Sequence, residues 1–163
     1  MIYGSAKSSG SISESSSMGS SSSDANYQMT IKYDWSGTGM EDLDTSTHGF
    51  GEDLGWDCTN AELYMQWISG DDTSLNGFEQ VDARVDDAKD DGLWTSSVNI
   101  ECYAGWYTPA EGSGSAQLIV EYRGDTKTIT ISPGSQETCA STHVATITVF
   151  STVQFDGTYF SVV

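Results

Sequence analysis

A chain of 163 residues carrying 24 acidic and 6 basic side chains, net charge −18, has no cationic surface to neutralise phosphates, which excludes nucleic acid and anionic membranes as expected partners. The length suits one domain with its own core, and no run approaches the ~20 apolar residues needed to span a bilayer. So acidic a surface suits a cation-rich setting; keeping the chain soluble is the alternative.

The first stretch, Met1 to Lys7, has no apolar segment or cleavage pattern of a secretory leader. The expectation is that the protein either stays where it is made or leaves by a route that needs no leader, such as cell lysis. Residues 4–23 hold twelve serines and three glycines, a composition that buries too little apolar surface to offset its ordering entropy. Residues 1–25 therefore read as a low-complexity arm. Its few apolar side chains, Ile2, Tyr3, Ile12 and Met18, are its candidate anchors on a neighbouring subunit.

From residue 26 to 163 the pattern has period two. Tyr27, Met29, Ile31, Tyr33 and Trp35 alternate with Gln28, Thr30, Lys32 and Asp34, so one face should be buried and the other wet. Leu63, Met65 and Trp67 repeat this, as do Val81, Ala83 and Val85. Asp86–Asp91 can form a helical turn that Gly92 stops. Further strands are expected around Trp94, Val98, Ile100 and Cys102; Leu118, Val120 and Tyr122; Ile129 and Ile131; and Ala145, Ile147, Val149, Val153 and Phe155. Gly, Asp and Ser clusters punctuate the runs every ten or so residues. The fold class is all-β: an antiparallel β-sandwich of jelly-roll or immunoglobulin size behind a low-complexity N-terminal arm.

Chemistry-bearing residues are sparse. Cys58, Cys102 and Cys139 match no zinc or redox spacing, and an odd count leaves at least one thiol free or bonded to another chain. Cys102 falls on the apolar side of its strand and reads as core. The two histidines, His48 and His143, lie in no nucleophile-elbow or protease context, so no catalytic residue is expected. Trp106 and Tyr107 precede a Gly/Ser/Pro loop, where exposed aromatics can stack on sugar rings; closing one end of the sandwich is the alternative.

The acidic loops carry more. Asp42 and Asp44 lie at i and i+2 of an extended segment, and Gly70-Asp71-Asp72-Thr73-Ser74-Leu75-Asn76-Gly77 is an oxygen-rich turn closely followed by Glu79. Calcium takes six to eight such oxygens, and carboxylates gathered without a cation repel one another; ordinary solvated turns of an acidic protein are the alternative. Asp42-Leu43-Asp44, followed by Gly70-Asp71-Asp72 and by Glu79 leading into an alternating strand, resembles the calcium-binding TerD-type (tellurite-resistance) β-sandwich over residues 33–104. That resemblance implies calcium held by Asp42, Asp44, Asp71, Asp72 and Glu79.

These features lead to one expectation and two alternatives. The expectation is a non-enzymatic subunit of a self-assembling particle, a bacteriophage or other virion decoration, collar or tail protein. It would be made in the host cytoplasm, work as a homo-oligomer and dock through its arm. A carbohydrate-binding or adhesive surface module is the first alternative. An intracellular calcium-binding protein of the TerD type is the second.

Overall fold

The computed structural model describes residues 27–40, 42–107, 114–136, 138–139 and 142–163. The arm anchors Ile2, Tyr3, Ile12 and Met18 lie outside the described residues. Eleven strands and one short helix follow in order among those described: β1 (Met29–Asp34), β2 (Leu43–Gly49), β3 (Glu52–Gly55), β4 (Met65–Trp67), β5 (Phe78–Ala83), α1 (Val85–Asp90), β6 (Ser97–Trp106), β7 (Ala116–Tyr122), β8 (Asp125–Ile131), β9 (Gly134–Ser135), β10 (Thr142–Phe150) and β11 (Phe160–Val162).

They form two packed sheets. One has the order β4-β5-β1-β7-β8, the other β11-β10-β6-β2-β3, and within these orders every pairing is antiparallel. The short β9 runs parallel to β6 beside Gly105 and Trp106. This is the expected β-sandwich. The alternation in β1 sets its register: Ile31 lies between Val81 of β5 and Val120 of β7, and Met29, Ile31, Tyr33 and Trp35 are all buried. Lys32 points to the wet face and pairs with Asp34 at 3.0 Å. A one-residue slip would turn that whole apolar set outward. From the facing sheet, Ile100, Cys102 and Ala104 of β6 and Ala145, Ile147 and Val149 of β10 complete the core.

Several local expectations need correction. Alternation in the last long strand stops at Phe150. Val153 and Phe155 lie in the turn that follows, and Phe155 is fully exposed while Phe160 on the returning β11 takes the buried place. Leu63 is also exposed, because the chain there is held by Glu52, whose carboxylate accepts the N–H groups of Leu63, Tyr64 and Met65. Val85 is buried as the first residue of α1 rather than as a strand residue, and the helix ends before Gly92, which takes φ +83°. Trp94 is buried ahead of β6, with its indole N–H on the carbonyl of Val85. No helix among the described residues is long and apolar enough to cross a membrane.

Sequence patterning does not reveal β2, β3, β9 or β11, and β2 is the longest of these. Its residues Leu43-Asp44-Thr45-Ser46-Thr47 are mostly polar, yet all five are buried. Inward, Thr45 bonds Glu79 and Thr47 bonds the hydroxyl of Tyr33 at 2.8 Å. These partners satisfy hydroxyls that would otherwise cost free energy to bury.

Candidate metal centre

Two loops meet at one end of the sandwich, and the sequence dictates how. Asp72 makes an Asx-type turn: its carboxylate accepts the N–H of Ser74 at 3.0 Å and of Phe78 at 3.1 Å. Asn76, at φ +58°, offers its side-chain oxygen to the N–H groups of Gly37 and Gly39. The indole N–H of Trp35 reaches the carbonyl of Ser74 at 3.0 Å, and its backbone N–H the carbonyl of Gly77. Residue 77 must be glycine, since a Cβ there would sit 2.5 Å from the Trp35 ring and 2.6 Å from Asp72 Oδ2. The 70–77 loop is thereby fastened to the segment that leads into β2.

That fastening brings Asp42, Asp44 and Asp71 together. One carboxylate oxygen from each lies within 4.8 Å of the others. Oxygens bound to a calcium ion at about 2.3–2.6 Å can be at most about 4.6–5.2 Å apart, so the cluster has the span of a coordination sphere. Asp42, at φ +56°, accepts the Tyr107 N–H on its carbonyl. Asp44 stands opposite Gly105 of β6 and is 3% exposed, and its Oδ2 is buried with no hydrogen-bond partner. Asp71 is at the exposed mouth. Burial, then the charges of Asp42 and Asp71, push the Asp44 carboxyl up to about 7.

Glu79 forms the inner wall. It is fully buried on β5, where it accepts the Thr45 hydroxyl on one oxygen and the Asp72 N–H on the other at 3.3 Å. Burial pushes its carboxyl up to about 8, against those two hydrogen bonds, with Asp71 and Asp44 adding to the rise. Of the five residues expected to ligate together, three therefore converge. The carboxylate of Asp72 is instead committed to its own turn, and its pKa is held low chiefly by the Ser74 hydrogen bond. Glu79 stands beside the cluster rather than within it. The three carboxylates are hard oxygen donors, the chemistry of calcium rather than of a thiophilic metal.

The aromatic candidates divide. Trp106 is 3% exposed, with its ring beside Gly114, so it closes the end of the sandwich and offers no face to a sugar. Tyr107 is exposed. Cys102 is the buried free thiol expected of a core residue, while Cys58 and Cys139 are joined in a disulfide across 81 residues. No spacing rule pointed to that pair. The odd count says only that at least one of the three thiols stays outside such a bridge.

No protein-family model, curated protein or solved structure matches the chain. The likeness to TerD-type domains rests on the motif residues alone.

Proposed function

We propose that this chain is a non-enzymatic calcium-binding β-sandwich module whose ion ties the 70–77 loop to the start of β2. One observation carries the reading: Asp44 is buried with a carboxylate oxygen, Oδ2, that has no hydrogen-bond partner, and its carboxylate clusters with two others. A buried charge without a partner costs several kcal/mol, and a divalent cation removes that cost by the same contacts that would hold it. Asp42, Asp44 and Asp71 are the protein ligands, and carbonyls and water complete the sphere. The measurement is isothermal titration of chelator-treated protein with calcium, alongside magnesium. One calcium per chain with preference over magnesium is expected. Absence of calcium-dependent heat and of any Tm shift at millimolar calcium refutes the reading.

A second reading places this module in a self-assembling particle, a virion decoration, collar or tail subunit present in several copies. Two observations favour it. Phe155 is fully exposed and Val153 half-exposed among the described residues, an apolar tip on the surface, and the Cys58–Cys139 bridge suits the oxidising exterior where virion surfaces and secreted proteins reside. The bridge also favours this reading over an intracellular TerD-like protein. Deleting residues 1–25 is expected to leave a folded domain that fails to join its assembly; normal incorporation of the truncated chain removes the arm from the proposal.

A further inference from the structure

A second cluster, of different chemistry, lies on the outward face of the β2–β6 sheet. His48, Cys58 and Cys139 come from three separate stretches of chain, and one ligand atom from each lies within 4.8 Å of the others. His48 Nδ1 is 3.4 Å from Oδ1 of Asp53, its cross-strand neighbour on β3. Its Nε2 faces Cys139, 3.2 Å from the carbonyl oxygen and 3.9 Å from Sγ. The Tyr103 ring packs on the imidazole at 4.6 Å and sets its plane. A neutral imidazole has a single N–H for these two acceptors. In the oxidised chain an Nε2–H can serve the Cys139 carbonyl at 3.2 Å; metal binding needs that proton on Nδ1, toward Asp53, which frees the Nε2 lone pair for the ion. A carboxylate holding the far nitrogen is the usual way a metal-binding histidine is oriented and made more basic.

The positions do not depend on the bridge alone. Asn60 clamps the turn that carries Cys58, donating to the carbonyls of Gly55 and Cys58 and accepting the Gly55 N–H. On the other side, Gln136 N–H bonds the carbonyl of Trp106 and anchors the segment leading to Cys139. Gly105 permits this crossing, because a Cβ there would lie 2.8 Å from the Gln136 backbone.

We infer that reduction of the Cys58–Cys139 disulfide turns this cluster into a binding site for a thiophilic divalent cation of the zinc type. Two thiolates and the His48 imidazole are its protein ligands, and the fourth position is left to water. A dithiol or phosphine reductant supplies the two electrons that break the Sγ–Sγ bond, and is itself oxidised. The sulfurs take up two protons as thiols and release them to solvent when the metal binds. Rotation of the two side chains brings the sulfurs to the roughly 3.8 Å separation of a tetrahedron with Zn–S of about 2.3 Å. A disulfide oxidant, itself reduced to two thiols, withdraws the two electrons, re-forms the Sγ–Sγ bond and expels the ion. Sulfur and imidazole select zinc over calcium, so this site and the carboxylate cluster take different ions.

The test uses the full chain, oxidised or reduced with a phosphine under anaerobic conditions, and titrated with cobalt(II) and then zinc. Reduced protein is expected to develop the sulfur-to-cobalt charge-transfer band and the visible bands of a tetrahedral site. One zinc per chain should abolish them, and oxidised protein should show neither. Cys58→Ser and His48→Ala should lose the bands, Asp53→Asn should weaken zinc binding about 10–100-fold, and Asp44→Asn should leave it unchanged. Equal zinc uptake by oxidised and reduced chains overturns the inference, as does uptake that His48→Ala leaves intact. Circular dichroism accompanies each titration. A reduced chain that unfolds and that zinc does not refold also overturns it.

Discussion

Replacing Asp44 with Asn separates the metal's contribution from that of the fold. The substitution keeps the side chain's size and one neutral oxygen ligand but removes a charge that is 3% exposed and faces Asp42 and Asp71. Raising a carboxyl from 3.8 to about 7 corresponds to a native-state penalty on its charged form on the order of 4 kcal/mol. The sign follows from linkage. A group whose native pKa is raised contributes stability below its unfolded value, and loses that contribution as pH rises through the native one. Metal-free wild type is therefore weakened at pH 8, and Asp44→Asn escapes that weakening. The new amide N–H groups offset about 1–3 kcal/mol if they find no acceptor. A net gain of about 1–3 kcal/mol, a Tm rise of roughly 3–10 °C, is expected in chelator at pH 8. Calcium reverses the order. At a hundredfold excess over Kd it stabilises wild type by about 2.7 kcal/mol, while the variant, short of one anionic ligand, should gain less than about a third of that. The assay is thermal unfolding followed by circular dichroism at pH 4 and pH 8, with chelator and with calcium. The reasoning is refuted if Asp44→Asn keeps the full calcium-induced rise, or if its advantage in chelator is as large at pH 4 as at pH 8.

Other expectations follow from the same geometry. Glu79, pushed up to about 8 by burial, should make metal-free protein lose stability as pH rises from about 4 to 8; Glu79→Gln should flatten that slope, as urea titrations at several pH values would show. Gly77→Ala drives a Cβ to 2.5 Å from Trp35 and 2.6 Å from Asp72. It should cost about 1–3 kcal/mol and weaken calcium binding, since the loop carrying Asp71 must move; unchanged calorimetric affinity would count against the role given to that loop. Cys58→Ser opens a bridge spanning 81 residues and should cost about 2–5 kcal/mol in denaturant titrations, with no loss of calcium binding. Tyr33→Phe removes a buried hydroxyl bonded to Ser46 and Thr47 and should lower stability by about 1–2 kcal/mol.

Much of the fold was legible because strand alternation is a local property. The side chains of Met29, Ile31 and Tyr33 point to one face whatever they pack against, so an all-β sandwich and the inward face of β1 follow from spacing alone. The convergence of Asp42, Asp44 and Asp71 was legible in part, because oxygen-rich turns mark where a hard cation is held. Spacing does not say which carboxylate is spent within its own turn, as Asp72 is on Ser74 and Phe78, or which is buried without a partner, as Asp44 is. Those outcomes depend on what β5, β6 and residues 36–40 bring alongside. The same holds for β2: Thr45 and Thr47 look like loop residues until Glu79 and Tyr33 supply their hydrogen bonds from the opposite sheet. Cys58 and Cys139 meet across 81 residues only because the segment after β9 crosses over Gly105 toward the end of β3, a path set by sheet order. Period and composition are written along the chain. Partnership between distant side chains is decided only when the two sheets close on each other.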